Sequence, residues 1–465
     1  MKRVRIGNGC GFWGDSLDAP ILLAEQGRLD YLTLEYLAEL TMSILALQKQ
    51  RDPQAGFAAD FLDVLQRLGP ILRGQPNLKI ITNAGGMNPT GCAAKARAIL
   101  DQAGLTGHRI AIVTGDDLLP RLDELLGLGH PFANLDTGEP LTTIRPRVVS
   151  ANAYLGARPI VDALWQGASI VITGRVADAS LTVAPAVHEL GWSWEDWDRL
   201  CAATVAGHLI ECGAQATGGL WINWHEAPDL ANVGYPIVEI EPSGEFVIAK
   251  PHPPQPPLLK GGRGGVSAGG AVNIETVTEQ LLYEVGDPAA YLTPDVVADF
   301  TSVKLTQAER DVVRVTGARG KPATDSYKVS IAYRDGWTAS GTLLIFGPDA
   351  PGKARHCGAM IFDRLRRAGF EYLQRNIECL GAGDCVPGVV RAGHDPPEVV
   401  LRVSVHDARR AAVERFTKEI APLVTSGPPG VTGYTTGRPQ VREVFAYWPA
   451  LMDKAAVAPN VRIVG

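Results

Sequence analysis

The chain has 465 residues, of which 46% are hydrophobic and 20% are charged, and this balance excludes an intrinsically disordered protein. A formal net charge of -6 provides no basic footprint for nucleic acid. We find no apolar run of about 18 residues that would span a membrane. We also find no secretory signal pattern after Met1, so the cytoplasm is the expected compartment.

The first half of the chain alternates short apolar runs with amphipathic segments. We predict strands at residues 4–6, 31–35, 79–82, 109–114, 148–151 and 170–173. Helices are predicted between these strands, and such alternation is typical of crossover units in a parallel sheet. The pattern therefore predicts an α/β body over residues 1–300, with a mostly parallel sheet flanked by helices.

The pattern changes more than once after residue 192. A helix is predicted at residues 193–212, a hairpin at 237–249, and a helix capped by Asn273. Residues 251–270 contain five prolines and six glycines, which predicts a flexible insert. From residue 301, strands at 312–316, 328–333 and 341–346, with a turn at 334–336, predict a smaller α+β domain that reaches residue 465. Its antiparallel sheet would pack against helices.

Glycines and polar residues directly follow the predicted strands of the first half. The candidate site residues among them are Gly9, Gly11, Asp15, Glu35, Asn83, Gly85, Gly86, Asp116, Asn152, Arg175 and Asp178. Parallel strands end at one edge of a sheet, and open α/β sheets bind ligands there. We therefore predict a small-molecule substrate site at this edge, with ordinary turn chemistry as the alternative.

Several of these residues have two interpretations. The backbone amides at 83–86 either form an oxyanion hole or belong to a plain strand-to-helix turn. Asp116 moves a proton, holds a divalent cation, or complements the start of a helix. Arg175 either clamps a substrate carboxylate in a bidentate way or pairs with Asp178 to hold the turn. Asp15 is either a helix cap or a carboxylate of the pocket.

His208, Glu211 and Cys212 share one helical face, because residues three and four apart are neighbours on a helix. We predict His208 and Glu211 as catalytic residues for proton transfer. A metal-binding pair, a Cys/His nucleophile pair and simple structural packing are the alternatives.

Residues 9–14 match the pattern G-x-G-x-x-G, and Glu35 lies about 20 residues further on, as in dinucleotide-binding folds. In the register that begins directly after the strand, however, Phe12 occupies the place of the third glycine. A nucleotide- or NAD(P)-dependent oxidoreductase is therefore an alternative function. The other interpretation is a glycine-lined turn that lets a ligand or another segment approach the backbone. No metal ligand is assigned, and the cofactor stays unknown.

Five tryptophans lie within a short stretch, at Trp192, Trp194, Trp197, Trp221 and Trp224. Such a concentration is typical of a core or a subunit interface, so a homo-oligomer is expected. A non-catalytic scaffold that uses this surface is a further alternative.

Long motifs in this chain resemble the AtuA-like family, which is named for acyclic terpene utilisation protein A. They include GxGFxGD at 9–15, NAGGxNP at 83–89, ITGRVADAS at 172–180, AGHLIECGAQxTGG at 206–219, TVTEQLLYE at 276–284 and TSGPPGVTGY at 425–434. The resemblance extends to about residue 450, and no catalytic residues come with it.

The resemblance implies catabolism of acyclic terpenes or branched acids through CoA thioesters. It suggests a lyase that acts on a 3-hydroxy-3-alkylglutaryl-CoA type of intermediate. We therefore expect a lyase, hydratase or hydrolase of a small carboxylate or acyl-CoA, without contact to nucleic acid or membrane. A scaffold of an acyl-CoA carboxylase pathway remains an alternative.

Overall fold

The structure is a computed structural model that describes residues 2–251, 268–391, 394–433 and 435–464. The predicted flexible insert at 251–270 lies outside the described residues except at its two ends. The helices are α1 (Ala19–Gln26), α2 (Glu39–Arg51), α3 (Asp60–Gly74), α4 (Pro89–Gln102), α5 (Leu122–Gly127), α6 (Arg158–Trp165), α7 (Ser180–Leu190), α8 (Trp197–Glu211), α9 (Ile274–Leu282), α10 (Ala350–Arg367), α11 (Arg410–Phe416) and α12 (Leu423–Ser426).

The strands alternate with these helices in the first half of the chain and cluster in the second. They are β1 (Val4–Asn8), β2 (Tyr31–Leu34), β3 (Lys79–Thr82), β4 (Ile110–Thr114), β5 (Val148–Ala153), β6 (Ile170–Thr173), β7 (Ile237–Ile240), β8 (Phe246–Ala249), β9 (Tyr291–Leu292), β10 (Val297–Asp299), β11 (Lys304–Glu309), β12 (Val312–Thr316), β13 (Arg319–Lys321), β14 (Ser326–Phe346), β15 (Gln374–Leu380), β16 (Glu398–Asp407), β17 (Arg442–Asp453) and β18 (Asn460–Val464).

The largest sheet has the strand order β11-β12-β8-β7-β1-β2-β3-β6-β4-β18. Its centre is parallel, because β1, β2, β3, β6 and β4 pair in the same direction. The strands on either side of this centre pair antiparallel. The α/β class is therefore correct, but the prediction of a mostly parallel sheet is wrong and the sheet is mixed. The physical reason is that the β7–β8 hairpin and β18 add their hydrogen bonds to the two open edges of the parallel centre.

One predicted strand of the parallel set lies elsewhere. β5 pairs with β14 rather than joining the parallel centre. An antiparallel bridge between Asp117 and Asn152 nevertheless brings the end of β5 beside the end of β4. Five of the six predicted strand ends therefore belong to one sheet, and the sixth reaches it through this bridge.

Local chemistry explains where several helices begin. The Asn88 side chain accepts a hydrogen bond from the Gly91 amide at 3.0 Å, and Pro89 occupies the first turn of α4. Asn273 accepts from the Thr276 amide at 2.9 Å, which confirms the predicted cap of α9. The helix predicted at 193–212 begins later, at Trp197. The Ser193 hydroxyl accepts instead from the Glu195 amide, in a turn that precedes the helix.

Contacts divide the chain into two compact units, Met1–Ala332 with Tyr447–Gly465, and Tyr333–Ala446. The second unit contains antiparallel pairing of β16 with both β14 and β15, together with α10 and α11. The domain boundary predicted at residue 301 lies earlier in the chain than Tyr333, where the second compact unit begins. The predicted boundary concerns domains and stays a prediction.

β14 continues through the turn predicted at residues 334–336, so that prediction is wrong. Gly336 adopts a φ of 87°, which costs glycine little, and pairing with β16 begins at the next residue, Trp337. The polar residues therefore lie within a long strand instead of ending it.

Buried apolar side chains cover both faces of the parallel centre. Ile80, Ile110 and Ile170 on its strands belong to one core cluster with Phe61 and Leu65 of α3. Such a core explains the continuous apolar runs of these strands. It also leaves their polar carboxyl ends at one edge.

Across the four described ranges, we find no helix that combines the length and the apolar character needed to cross a bilayer.

Candidate functional site

Three polar residues converge where β2, β3 and β6 end. Glu35 Oε1 accepts hydrogen bonds from the Leu37 amide at 2.9 Å and from the Asn83 side-chain amide. Arg175 Nη1 lies 3.8 Å from the same carboxyl oxygen. The structure thus brings together Glu35, Asn83 and Arg175, as expected from the parallel strand ends.

Glu35 is an unusual carboxyl group because it is enclosed on nearly all sides. Its side chain is 5% exposed, and Oε2 has no hydrogen-bond partner in the part of the chain that the structure describes. Burial, with the nearby Asp178 carboxylate, raises the pKa of Glu35 to about 8, although Arg175 acts in the opposite direction. Glu35 therefore holds a proton at neutral pH.

Arg175 makes several contacts with its own surroundings, although its Nε has no hydrogen-bond partner among the described residues. Nη1 donates to the Leu37 carbonyl at 2.9 Å and to Asp178 Oδ1 at 2.6 Å, and the guanidinium lies 4.2 Å from the centre of the Tyr154 ring. Burial opposes its charge, but Asp178, Tyr154 and Glu35 together hold its pKa above the ordinary value. These contacts favour a pair that holds the turn over a clamp for a substrate carboxylate.

Asp116 and Asn152 lie behind this loop. Asp116 Oδ2 accepts from the Arg175 backbone amide at 2.8 Å and from Asn152 Nδ2 at 3.0 Å. A Cβ on Gly174 would lie 2.4 Å from Asp116 Oδ1, so the carboxyl packs directly against the loop backbone. Burial raises the pKa of Asp116 to about 6. This geometry gives Asp116 a role in positioning the loop that carries Arg175.

Replacing Asp116 with alanine is expected to lower the free energy of unfolding measurably. The Arg175 amide and the Asn152 amide would lose their shared acceptor, and each unpaired buried donor costs about 1–3 kcal/mol. Urea unfolding at pH 7 of Asp116→Ala beside the exposed Asp136→Ala measures the difference. Equal unfolding midpoints for the two variants would contradict this role.

The second carboxyl of the site comes from α8. Glu211 is the last residue of this helix, and its Oε1 lies 2.9 Å from His208 Nδ1. His208 is buried against the rings of Tyr291 and Phe300, at 5.6 and 5.2 Å between ring centres. The predicted pair is therefore formed, and its members contact each other.

Burial and hydrogen bonding act in opposite directions on this pair. Burial lowers the pKa of His208, but the hydrogen bond and charge of Glu211, together with the backbone groups of Gln280 and Leu281, outweigh burial, so the pKa is raised. Burial raises the pKa of Glu211. Glu211 Oε2 has no hydrogen-bond partner within the described ranges. The pair therefore places a carboxyl oxygen without a hydrogen-bond partner beside a buried imidazole.

Both carboxyl groups line one narrow cleft, which has no room for a water molecule in this structure. It is lined by Asn8, Thr33, Glu35, Asp178, Leu181, Thr182, Gly207, Ile210 and Glu211. Asp178 is the most exposed of its acidic side chains. Among the predicted site residues that lie outside this lining are Asp116, Asn152, Arg175 and His208.

Sequence reasoning missed three polar residues of the cleft: Asn8, Thr33 and Thr182. Asn8 had a usable signal, because it is a polar residue at the end of the first strand, inside the glycine cluster. Thr33 and Thr182 had none, since a threonine inside a strand or a helix is an ordinary residue there.

The glycine cluster after β1 packs against its own chain. A Cβ on Gly9 would lie 2.7 Å from Pro20 Cα, and one on Gly11 would lie 2.7 Å from the Cys212 carbonyl carbon. Asp15 Oδ2 accepts from the Gly11 amide at 2.8 Å. These contacts favour the glycine-lined turn over a loop that binds pyrophosphate.

The segment at residues 83–86 has the hydrogen bonds of a strand-to-helix turn. The Ala84 amide donates to Thr82 Oγ1 at 3.0 Å, and the Gly86 amide donates to the Asn83 carbonyl at 3.1 Å. A Cβ on Gly85 would lie 2.5 Å from the backbone of β6. Two of its amides are therefore used in the turn, which favours that interpretation over an oxyanion hole.

Cys212 has little thiolate character. Burial raises the pKa of its thiol to about 12. A nucleophilic cysteine needs the opposite shift, so the geometry favours the carboxyl groups as the reactive groups of this site.

Taken together, these residues define an α/β protein with a buried cleft, lined by two glutamates, at the edge of its parallel strands. The chain belongs to the acyclic terpene utilisation family of protein AtuA, whose family model matches residues 4–463. Neither the curated proteins nor the solved structures contain a significant match. The family match confirms the resemblance seen in the sequence and connects the chain to acyclic terpene utilisation.

Proposed function

We propose that this protein is an enzyme that acts on a small carboxylate or acyl-CoA thioester in the breakdown of acyclic terpenes or branched acids. The observation that carries the proposal is that Glu35 and Glu211 face the same buried cleft in different hydrogen-bonding environments. Two carboxyl groups whose environments differ supply an acid and a base at one pH.

The environments assign the two roles. Glu35 is protonated at neutral pH and has its Oε2 free in the cleft, so it is the acid. Burial also raises the pKa of Glu211, but the hydrogen bond and charge of His208 lower it and favour the carboxylate, so Glu211 is the base. The positive charge of Arg175 lowers the pKa of Glu211 and so favours its carboxylate form.

The reaction that suits this pair best is a lyase step on a 3-hydroxy-3-alkylglutaryl-CoA-like thioester. Glu211 takes the proton of the 3-hydroxyl group, and the bond between C2 and C3 breaks. A ketone forms at C3, and the electron pair passes to the thioester enolate. Glu35 then protonates C2 of that enolate. Hydration or hydrolysis would use the same acid and base.

The size of the cleft limits which part of a thioester it takes. The cleft has no room for a water molecule in this structure, so it must widen to take even a short acyl group, and the nucleotide of CoA is far larger. We therefore place the reacting acyl end in the cleft and the rest of CoA outside it. CoA esters occur inside cells, so the cytoplasm is the proposed compartment.

A homo-oligomer is proposed from the tryptophan-rich stretch. Trp192 and Trp221 are buried, whereas Trp224 is 65% exposed and follows the exposed Leu220 and Ile222. Exposed apolar side chains grouped in this way are typical of protein–protein contacts.

A panel of branched acyl-CoA thioesters, with and without a 3-hydroxyl group, tests the proposal. We expect turnover of 3-hydroxy thioesters by the purified protein and by Glu25→Gln, an exposed control on α1. Co-purification with a carboxylase without any turnover would support the scaffold instead. Stabilisation by NAD(P) would support the oxidoreductase.

A further inference from the structure

The end of α8 has an additional partner on β1, beside the bond from the Cys212 amide to the Ile210 carbonyl. The last four carbonyl groups of a helix accept no hydrogen bond from an amide within the helix. Glu211 is the final residue of α8, so its carbonyl and that of Ile210 belong to this group. Asn8 at the end of β1 supplies that partner, because its Nδ2 donates to the Ile210 carbonyl at 2.7 Å and lies 3.0 Å from the Glu211 carbonyl. The same group lies 2.9 Å from the Cys10 carbonyl.

The orientation of the Asn8 amide is fixed from both sides. Thr33 Oγ1 lies 3.1 Å from Asn8 Oδ1 and can donate to it, so the oxygen faces a donor. The nitrogen faces three carbonyl oxygens, and a flipped amide would place an oxygen against them. The arrangement therefore requires a neutral amide with its NH₂ group toward α8.

Asn8 also joins the two halves of the acid–base pair. It is paired in register with Thr33 on β2, and Glu35 lies two residues beyond Thr33. Its side chain holds the helix end that carries Glu211. Asn8 and both glutamates line the same cleft.

We propose that Asn8 is a positioning residue that sets the place of Glu211 relative to Glu35. The inference rests on the proposed function, because it concerns the base of that reaction. It also makes a structural claim that is measurable without a substrate. Asn8 acts through Glu211, and removing its amide frees the end of α8 inside the cleft.

The charged and titratable groups that face Glu211 come from several elements. They are His208 on α8, Cys212 just after it, Arg175 and Asp178 on the loop after β6, and Tyr291 on β9. Glu211 raises the pKa of His208 through their contact, so the His208 titration reports on the position of Glu211.

The test measures the His208 ring by NMR as a function of pH in the full chain. In Asn8→Ser the Glu211 contact loosens and burial dominates, so the His208 midpoint is expected to fall by about one pH unit. The matched control is Asn134→Ser, which removes another buried amide that accepts from Asp136 and Thr137. The midpoint should stay at the wild-type value in this control.

Thr33→Val keeps the test decisive if Asn8→Ser fails to fold. It removes the hydroxyl that orients the Asn8 amide, and a smaller fall of the His208 midpoint is expected. An unchanged midpoint in the folded variant would overturn the inference, whether or not a substrate has been found. With a substrate, Asn8→Ser should lower kcat by about 100-fold with little change in KM. A change confined to KM would overturn the positioning role.

Discussion

Glu211→Gln is expected to lower kcat by about 10²- to 10⁴-fold, the range that general acid–base groups contribute. The amide keeps the size of the side chain and can still contact His208 Nδ1, but it cannot accept the proton at Oε2. KM should change little, because the substitution removes an interaction made in the transition state.

The exposed Glu25→Gln is the control for this measurement, with circular dichroism to confirm that both variants fold. A kcat within about twofold of wild type would remove Glu211 from the chemistry and leave it as a packing residue. Loss of the folded signal would be a failure of stability, and the His208 titration described above then reports on the site.

Glu35→Gln is expected to remove the acid of the reaction and, at the same time, to stabilise the fold at alkaline pH. Glutamine retains an oxygen that accepts from the Leu37 and Asn83 amides, while its NH₂ group replaces the partnerless Oε2. The change therefore deletes a buried ionisable group without deleting its hydrogen bonds, and kcat should fall by about 10²- to 10⁴-fold.

The sign of the stability effect follows from the raised pKa. The pKa of Glu35 is about 8 in the folded chain, against an ordinary value of 4.5. Between these values the unfolded chain releases the proton and the folded chain keeps it. Wild-type stability therefore falls as the pH rises from about 4.5 to about 8, relative to Glu35→Gln. Urea unfolding at pH 5 and pH 8.5 should show a gap between the two proteins that widens by a few kcal/mol. A gap that does not depend on pH would contradict the raised pKa.

Local sequence patterns predicted the separate elements of the fold better than their pairing. The hairpin at β7 and β8 was predicted at the bounds observed, Ile237–Ile240 and Phe246–Ala249. What the pattern does not contain is its docking onto β1, since any apolar strand with free hydrogen-bonding groups fits an open sheet edge. β18 at the end of the chain escaped prediction altogether, although its pairing with β4 completes the other edge.

The positions of the strand ends predict which residues meet at the site, because the residues that follow parallel strands lie at the same edge of the sheet. Glu35, Asn83 and Arg175 meet there as the pattern indicates. Side-chain roles were harder to predict. An arginine at this position is typical of a residue that binds a substrate anion. In the structure, however, Arg175 donates to Leu37 and Asp178 and so stabilises its own loop. Only the folded chain reveals which donors remain free.

Asn8 illustrates the same limit. Its three carbonyl neighbours include two at the end of α8, about two hundred residues away in sequence. No local pattern connects the two segments. The role of Asn8 follows from the packing of α8 against the parallel strand ends, a tertiary feature.

The central claim is that the buried cleft holds Glu35 in its protonated form at neutral pH. Carbon-13 NMR of the glutamate carboxyl groups across pH 4 to 10 tests it, with Glu35→Gln to assign the resonance. The account predicts a titration midpoint near 8 for the signal that this variant removes. A midpoint near the ordinary glutamate value of 4.5 would contradict it.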